Sequence, residues 1–114
     1  MKKRIIVFLR IYSRDNIYCM YSIKKYTYNK AKKLGVIVKP STNKTKKIDV
    51  FKKRGKTEVK IASVGANGMN DYPTYIQKRG LAYAKTRRRL YRMRHERDRH
   101  IRGSAGYYAD KLLW

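Results

Sequence analysis

One thirty-residue stretch constrains the fold of this chain more than any other part. It runs from Pro73 to Arg102, has no proline after its first residue, and follows Asn70 and Asp71, which are both able to cap a helix. Large apolar residues recur in it at seven-residue intervals, at Ile76, Tyr83 and Leu90. This spacing predicts one long helix that buries a stripe in its first half and is charged almost all round in its second.

A helix of this length would reach beyond the domain that carries it. Thirty helical residues span about 45 Å, whereas a compact domain of this size has a radius of gyration of about 13 Å. The second half of the stretch is rich in arginine and holds few acids, so like charges would repel along it unless countercharges arrive. We therefore expect an anionic partner to contact the helix.

The net charge points to the same class of partner. The chain of 114 residues holds 31 Lys and Arg against seven Asp and Glu, a formal net charge of +24. Nucleic acid, anionic lipid headgroups and acidic protein surfaces all fit this charge, which does not choose among them. The chain is still hydrophobic enough to fold, with 42% hydrophobic residues and eleven tyrosines.

Lysine and arginine occupy different parts of the sequence. Lysine dominates from Lys24 to Lys60 and arginine from Arg79 to Arg102. Arginine forms planar, paired hydrogen bonds to phosphate and carboxylate, while lysine acts as a hydrated point charge. The residues predicted to bind an anionic partner are therefore the helix arginines Arg87, Arg88, Arg89, Arg92, Arg94, Arg97 and Arg99.

The middle of the chain predicts a small sheet. Two strand-like segments, Ile48–Lys53 and Glu58–Val64, flank a turn at Gly55, and Val59 and Ile61 can share a face with the first strand. A short third strand is predicted at Val36–Val38. It follows a short helix, Tyr28–Leu34, that Thr27 can cap and Gly35 can end.

The chain ends in a short, aromatic, amphipathic segment that is predicted to be helical and either to close the core or to anchor in a groove of a neighbouring protein. The fold class expected is therefore α+β: a β-hairpin sheet, with or without a third strand, packed on one long basic helix. Residues 1–25 are predicted to form an apolar and basic arm or hairpin, and residues 26–114 a single domain. The anchors expected in the core or at an interface are Tyr72, Tyr75, Tyr107, Tyr108, Leu112, Leu113 and Trp114.

No constellation of residues in the sequence indicates catalysis. His95 and His100 are five residues apart, which aligns them poorly for a shared metal on a helix, and nearby arginines would repel a cation. Cys19 lies in an apolar and aromatic run without a neighbouring histidine to activate it. We therefore predict that the protein is not an enzyme and that it takes no cofactor, metal or small-molecule substrate.

Three runs of sequence resemble those of a known viral family. They are YTYNKAKKLGVIVKPSTNKTKKIDVF, IASVGANGMNDYPTYIQKRG and RHERDRHIRGSAGYYADKLLW, with DYPTY and GYYADKLLW the most specific parts. The family comprises short, basic, functionally uncharacterised proteins encoded by large nucleocytoplasmic DNA viruses, of the giant-virus or algal-virus type. The resemblance covers about Tyr26 to Trp114. It implies a viral protein packaged in the particle, and it brings no catalytic residues.

Two functions follow as hypotheses. The first is a structural protein of the virion, a minor capsid or cement protein that bridges neighbouring capsid proteins through basic and tyrosine-rich surfaces. It would be found in the particle and, during assembly, in the cytoplasm of the infected cell. The second is a nucleic-acid-binding protein that neutralises or condenses viral DNA without reading its sequence. Binding to anionic lipid headgroups is a weaker third possibility, because the predicted helix lacks a broad apolar face.

Overall fold

The computed structural model describes residues 21–114 and has an α+β fold, which confirms the predicted fold class. The predicted arm or hairpin over residues 1–25 lies mostly outside the described residues, as does Cys19. Along the described range, helices and strands follow in the order α1 (Lys25–Leu34), β1 (Ile37–Pro40), β2 (Lys46–Arg54), β3 (Thr57–Ala66), α2 (Tyr72–Arg79), α3 (Leu81–Arg94) and α4 (Ala105–Leu113). Within residues 21–114 no helix is both long and apolar enough to cross a bilayer.

The three strands form an antiparallel sheet in the order β1-β2-β3. Ile48 and Val50 on β2 are fully buried, and their partners across the pair are Val64 and Ala62. The prediction that Val59 and Ile61 share this buried face is wrong for Val59, which is exposed, whereas Ile61 is half-buried and packs against the core. The pairing shifts by one residue between Val50 and Phe51, so that Ala62 and Lys60 lie opposite consecutive residues of β2. Val59 lies opposite Lys52 near the hairpin turn, where the side chains of both strands are exposed.

Helix α1 begins before the residue that was predicted to cap it. Thr27 lies inside the first turn and is fully buried, and its hydroxyl donates to the backbone oxygen of Leu112 at 2.9 Å. The last carbonyls of a helix have no partner within that helix, so a buried one needs a donor from elsewhere. Thr27 therefore ties α1 to the end of α4 and does not cap α1. The predicted end of α1 is confirmed, since Gly35 follows it in the left-handed conformation, with φ 73° and ψ 30°.

The single helix predicted over Pro73–Arg102 is wrong. The chain forms α2 and α3, which are separated at Gly80, and α3 ends before His95, after which residues 95–103 form turns. Gly80 has φ 88° and ψ 166°, a conformation essentially restricted to glycine, so the helix cannot continue through it. The beginning of α2 agrees with the prediction, because the Asp71 carboxylate accepts a hydrogen bond from the backbone N–H of Thr74 at 3.1 Å.

Helix α4 closes the core against β3 and α1. It begins behind Ser104, whose hydroxyl accepts from the backbone N–H of Tyr107, and it confirms the predicted helical tail. Leu112 and Leu113 are fully buried with the β2 side chains Ile48 and Val50. The tail thus packs into the core of its own domain, and it brings Asp110 to the side of α3.

Candidate anion-binding surface

Helix α3 and the turns after it carry basic residues on two different flanks. One flank forms an open groove lined by Lys85, Arg88, Arg89, Arg92, Met93, Glu96 and Arg99. The other flank faces a cavity of about 320 Å³ between α3, α4 and the end of β3, which Arg87 and Arg94 help to line. Because residues three and four apart share a face of a helix, the sequence order of the arginines distributes them over both flanks.

Two arginines of the groove are held by a buried carboxylate. Asp110 on α4 is completely buried, and its two oxygens accept from Arg92 Nε at 3.1 Å and from an Arg99 terminal nitrogen at 3.4 Å. A buried carboxylate needs such partners, because an unpaired charge in the interior is costly. Asp110 therefore fixes the guanidinium groups of both arginines against α4.

The other groove arginines are held in weaker ways. The guanidinium carbon of Arg88 lies 4.1 Å from the centre of the Tyr72 ring, a distance at which a cation is attracted to the ring face. Arg89 extends along α3 toward the sulfur of Met93, with 3.8 Å between nitrogen and sulfur. Within residues 21–114, neither of these arginines has a carboxylate partner. Their charges are therefore available to an added anion.

The acid of the groove is already paired. Glu96 accepts a hydrogen bond from Arg99 and lies 2.9 Å from a ring nitrogen of His100. These two contacts, with His100 the larger, lower the pKa of the exposed Glu96 carboxyl. The positive charges of the groove also affect Lys30 on α1. The pKa of its ammonium group is lowered, first by burial and then by the nearby charges of Arg92, Arg88 and Lys111. The groove thus keeps a surplus of positive charge.

The remaining three predicted arginines lie outside the groove. Arg87 lies with its guanidinium carbon 5.5 Å from the centre of the Tyr75 ring, and its buried Nε has no hydrogen-bond acceptor among the described residues. Arg94 is exposed at the edge of the cavity. Arg97 is exposed in the turns beyond α3 and lines neither feature. The structure therefore divides the seven predicted arginines among the groove, the cavity and the surface beyond.

Sequence reasoning missed two residues that define the groove. Lys85 belongs to it, and its spacing of three and four residues from Arg88 and Arg89 was the available signal. Asp110 was also missed. An acid inside the aromatic tail signals a buried charge in need of partners, but only the fold shows that the partners are Arg92 and Arg99.

The aromatic and apolar residues predicted as anchors belong to the core and its margin. Tyr72, Tyr108, Leu112, Leu113 and Trp114 are buried. The other two, Tyr75 and Tyr107, are half-buried and pack against the core. These side chains stabilise the domain itself. Of the two sets of residues predicted from the sequence, the arginines are therefore more exposed than the aromatic and apolar anchors.

A second buried ion pair lies at the start of α2. Lys47 Nζ contacts an Asp71 oxygen at 2.8 Å, and the Tyr21 hydroxyl donates to the same oxygen at 2.6 Å. Burial acts to raise the pKa of Asp71, but hydrogen bonds from Lys47, Thr74 and Tyr21 together hold it below its usual range. The described part of the chain contains no cluster of three or more His, Cys, Asp or Glu residues suited to a metal ion.

No protein-family model, no curated protein and no solved structure matches this chain.

Proposed function

We propose that this protein binds nucleic acid through its phosphates, without reading the base sequence, and that the groove along α3 is the contact surface. The observation that carries the proposal is the charge of the groove: five cationic side chains converge on it, and its one acid, Glu96, is paired with Arg99 and His100. Phosphate oxygens are the natural acceptors for arginine, and a phosphate backbone offers them at regular spacing.

The way the arginines are held favours binding. Arg92 and Arg99 are held by Asp110, and Arg88 lies on the Tyr72 ring, so contacts within the domain position these three side chains. Side chains that are already ordered lose less conformational entropy on binding. A surplus of positive charge in a concave surface also attracts a polyanion from solution.

The placement of the groove cations favours contact with a phosphate backbone. They are spread along one flank of a helix and its following turn, and the groove lining contains no asparagine or glutamine that could recognise adenine edges. Contacts of this kind position a protein on the phosphate backbone without specifying a sequence.

The test is duplex-DNA binding over a range of salt, from about 50 to about 500 mM. The variant changes the three groove cations that have no carboxylate partner, Lys85→Gln, Arg88→Gln and Arg89→Gln, and keeps the Asp110 contacts. The log–log salt slope should fall by about 2 to 3, since each phosphate neutralised contributes about 0.9.

The matched control removes three exposed lysines elsewhere: Lys32→Gln, Lys33→Gln and Lys53→Gln. It has the same net charge as the groove variant, so a general effect of charge would weaken both equally. Equal affinities and slopes for the two variants would refute the groove as the contact surface.

A structural role in a large DNA virus particle is the second candidate, supported by the sequence resemblance and by one feature of the groove. Met93 lies among the arginines and is 65% exposed. An exposed thioether beside cations suits an acidic, partly apolar segment of another protein. In this role the protein would be a minor capsid or cement protein bound between capsid neighbours. Its absence from purified particles washed at moderate salt would exclude the role.

A further inference from the structure

The cavity on the other flank of α3 has the features of a small-molecule site. Its volume of about 320 Å³ lies at the lower end of the range for ligand pockets, about 300 to 1,000 Å³. This volume admits a small ligand and excludes a helix of a partner protein, which is about 10 Å wide. The groove and this cavity share no lining residue, so the cavity is a separate feature.

Three stacked rings form part of the cavity wall. Tyr91 stacks on Trp114 with 4.3 Å between ring centres and an angle of 12°, and on His95 with 4.3 Å and 29°. All three residues line the cavity. Burial, followed by the nearby Asp110 and Asp98, raises the pKa of the Tyr91 hydroxyl to about 12, so this wall carries no phenolate at neutral pH. A flat apolar group can pack along such a wall.

The charges that line the cavity leave an excess of cations. Of its two acidic side chains, Asp71 pairs with Lys47 at 2.8 Å, and Asp98 lies 3.5 Å from a ring nitrogen of His95. Arg87, Arg94 and Lys46 also line the cavity and have no carboxylate partner within residues 21–114. The guanidinium groups of Arg87 and Arg94 therefore favour an anionic ligand in the cavity.

We propose that this cavity binds a nucleotide, with its phosphate on Arg87 and Arg94 and its base against the ring wall formed by Tyr91, His95 and Trp114. Arginine pairs with phosphate through two parallel hydrogen bonds, and aromatic side chains stack on bases of any sequence. The nucleotide is either free or the phosphorylated end of a strand. In the second case the inference rests on the proposed nucleic-acid function and adds an end-binding site to it.

Trp114 provides a direct measurement, because it is the one tryptophan of the sequence and it lines the cavity. The full chain is titrated with adenosine monophosphate, with uridine monophosphate, with inorganic phosphate, and with a short single strand with or without a 5′-phosphate. Saturable change of tryptophan fluorescence by either mononucleotide identifies a free nucleotide as ligand. Change by the phosphorylated strand alone identifies a strand end.

The variant pair Arg87→Gln and Arg94→Gln should weaken this binding about tenfold or more, since each removes a charge-assisted hydrogen bond. The control pair Arg97→Gln and Arg102→Gln removes the same charge at residues that do not line the cavity, and it should bind as the wild type does. Arg94→Gln alone changes an exposed side chain and tests the site if the Arg87 change unfolds the protein.

The proposal is overturned by any of three results: no fluorescence change with any nucleotide, equal binding of inorganic phosphate and mononucleotides, or equal weakening by the two variant pairs. The groove variant Lys85→Gln, Arg88→Gln and Arg89→Gln distinguishes failure of the nucleotide site from failure of the proposed duplex-DNA binding. It should lose duplex-DNA affinity and keep the response to mononucleotides, whereas the cavity variants should lose that response and keep duplex binding.

Discussion

At the scale of single residues, Asp110 connects the core to the groove. Its carboxylate is completely buried and contacts two arginines whose side chains are 35% and 20% exposed. Removing one member of a fully buried ion pair costs about 3 to 5 kcal/mol. Because the two arginines are partly solvated, we expect a smaller loss here.

We predict that Asp110→Asn lowers the free energy of unfolding by about 2 kcal/mol, because the amide cannot neutralise Arg92 and Arg99. Urea unfolding followed by circular dichroism measures the change. Glu58→Gln serves as the control, since Glu58 forms an exposed ion pair with Lys39 and such pairs contribute about 0 to 1 kcal/mol. Similar losses in the free energy of unfolding of the two variants would contradict the predicted contribution of Asp110 to stability.

The lowered pKa of the Asp71 carboxyl predicts how the stability of the protein depends on pH. Its pKa is held below the usual value in the folded protein, so the unfolded chain binds more protons as the pH falls. The contribution of Asp71 is therefore present above about pH 4, the ordinary pKa of aspartate, and is lost as the pH falls through its folded value.

We expect Asp71→Asn to flatten the loss of stability on acidification, measured as the urea midpoint at a series of pH values. Lys47→Met removes the largest favourable contact of the carboxylate, so the acid transition of that variant should move to higher pH. Coincident profiles for the wild type and both variants would contradict the assignment.

At the scale of helices and strands, the break at Gly80 decides the course of the basic segment. Two glycines that follow helices differ in backbone conformation. Gly35, with φ 73° and ψ 30°, is in the left-handed helical region, which asparagine tolerates, whereas Gly80, with φ 88° and ψ 166°, is not. The same substitution should therefore have different effects at the two positions.

We predict that Gly80→Asn lowers the free energy of unfolding by about 1 to 3 kcal/mol, and that Gly35→Asn costs less than about 1 kcal/mol. Thermal or urea unfolding of the two variants measures the difference directly. An equal cost at both positions would mean that the conformation at Gly80 is not what separates α2 from α3.

The features that were predictable from the sequence are those with local causes. Asp71 at the start of α2, Gly35 at the end of α1 and the two main strands follow from capping groups, turns and alternation within a few residues. The shift beside Val50, the burial of Thr27 and the contact of Asp110 with α3 depend on residues far apart in the chain. The arginines were recognised from the sequence as one set. Their division between groove and cavity could not be predicted, because it depends on where α3 begins and ends and on how it packs.

At the scale of the whole molecule, the charge of +24 works against the compact state. We predict that the melting temperature rises as salt increases from about 20 to about 300 mM, because screening shortens the range of repulsion. If the groove binds anions as proposed, sulfate should raise the melting temperature more than chloride does at equal ionic strength. Calorimetry measures both effects, and a melting temperature independent of salt would contradict the prediction.

The pairing of α1 with α4 also determines when the core of the domain can be completed. The Thr27 hydroxyl and the Tyr26 hydroxyl contact the backbone oxygens of Leu112 and Trp114, more than eighty positions away. The contacts between α1 and α4 can therefore form only after residues 105–114 have left the ribosome. Until then Arg92 and Arg99 lack the carboxylate of Asp110, and the part of the chain already synthesised keeps more uncompensated positive charge.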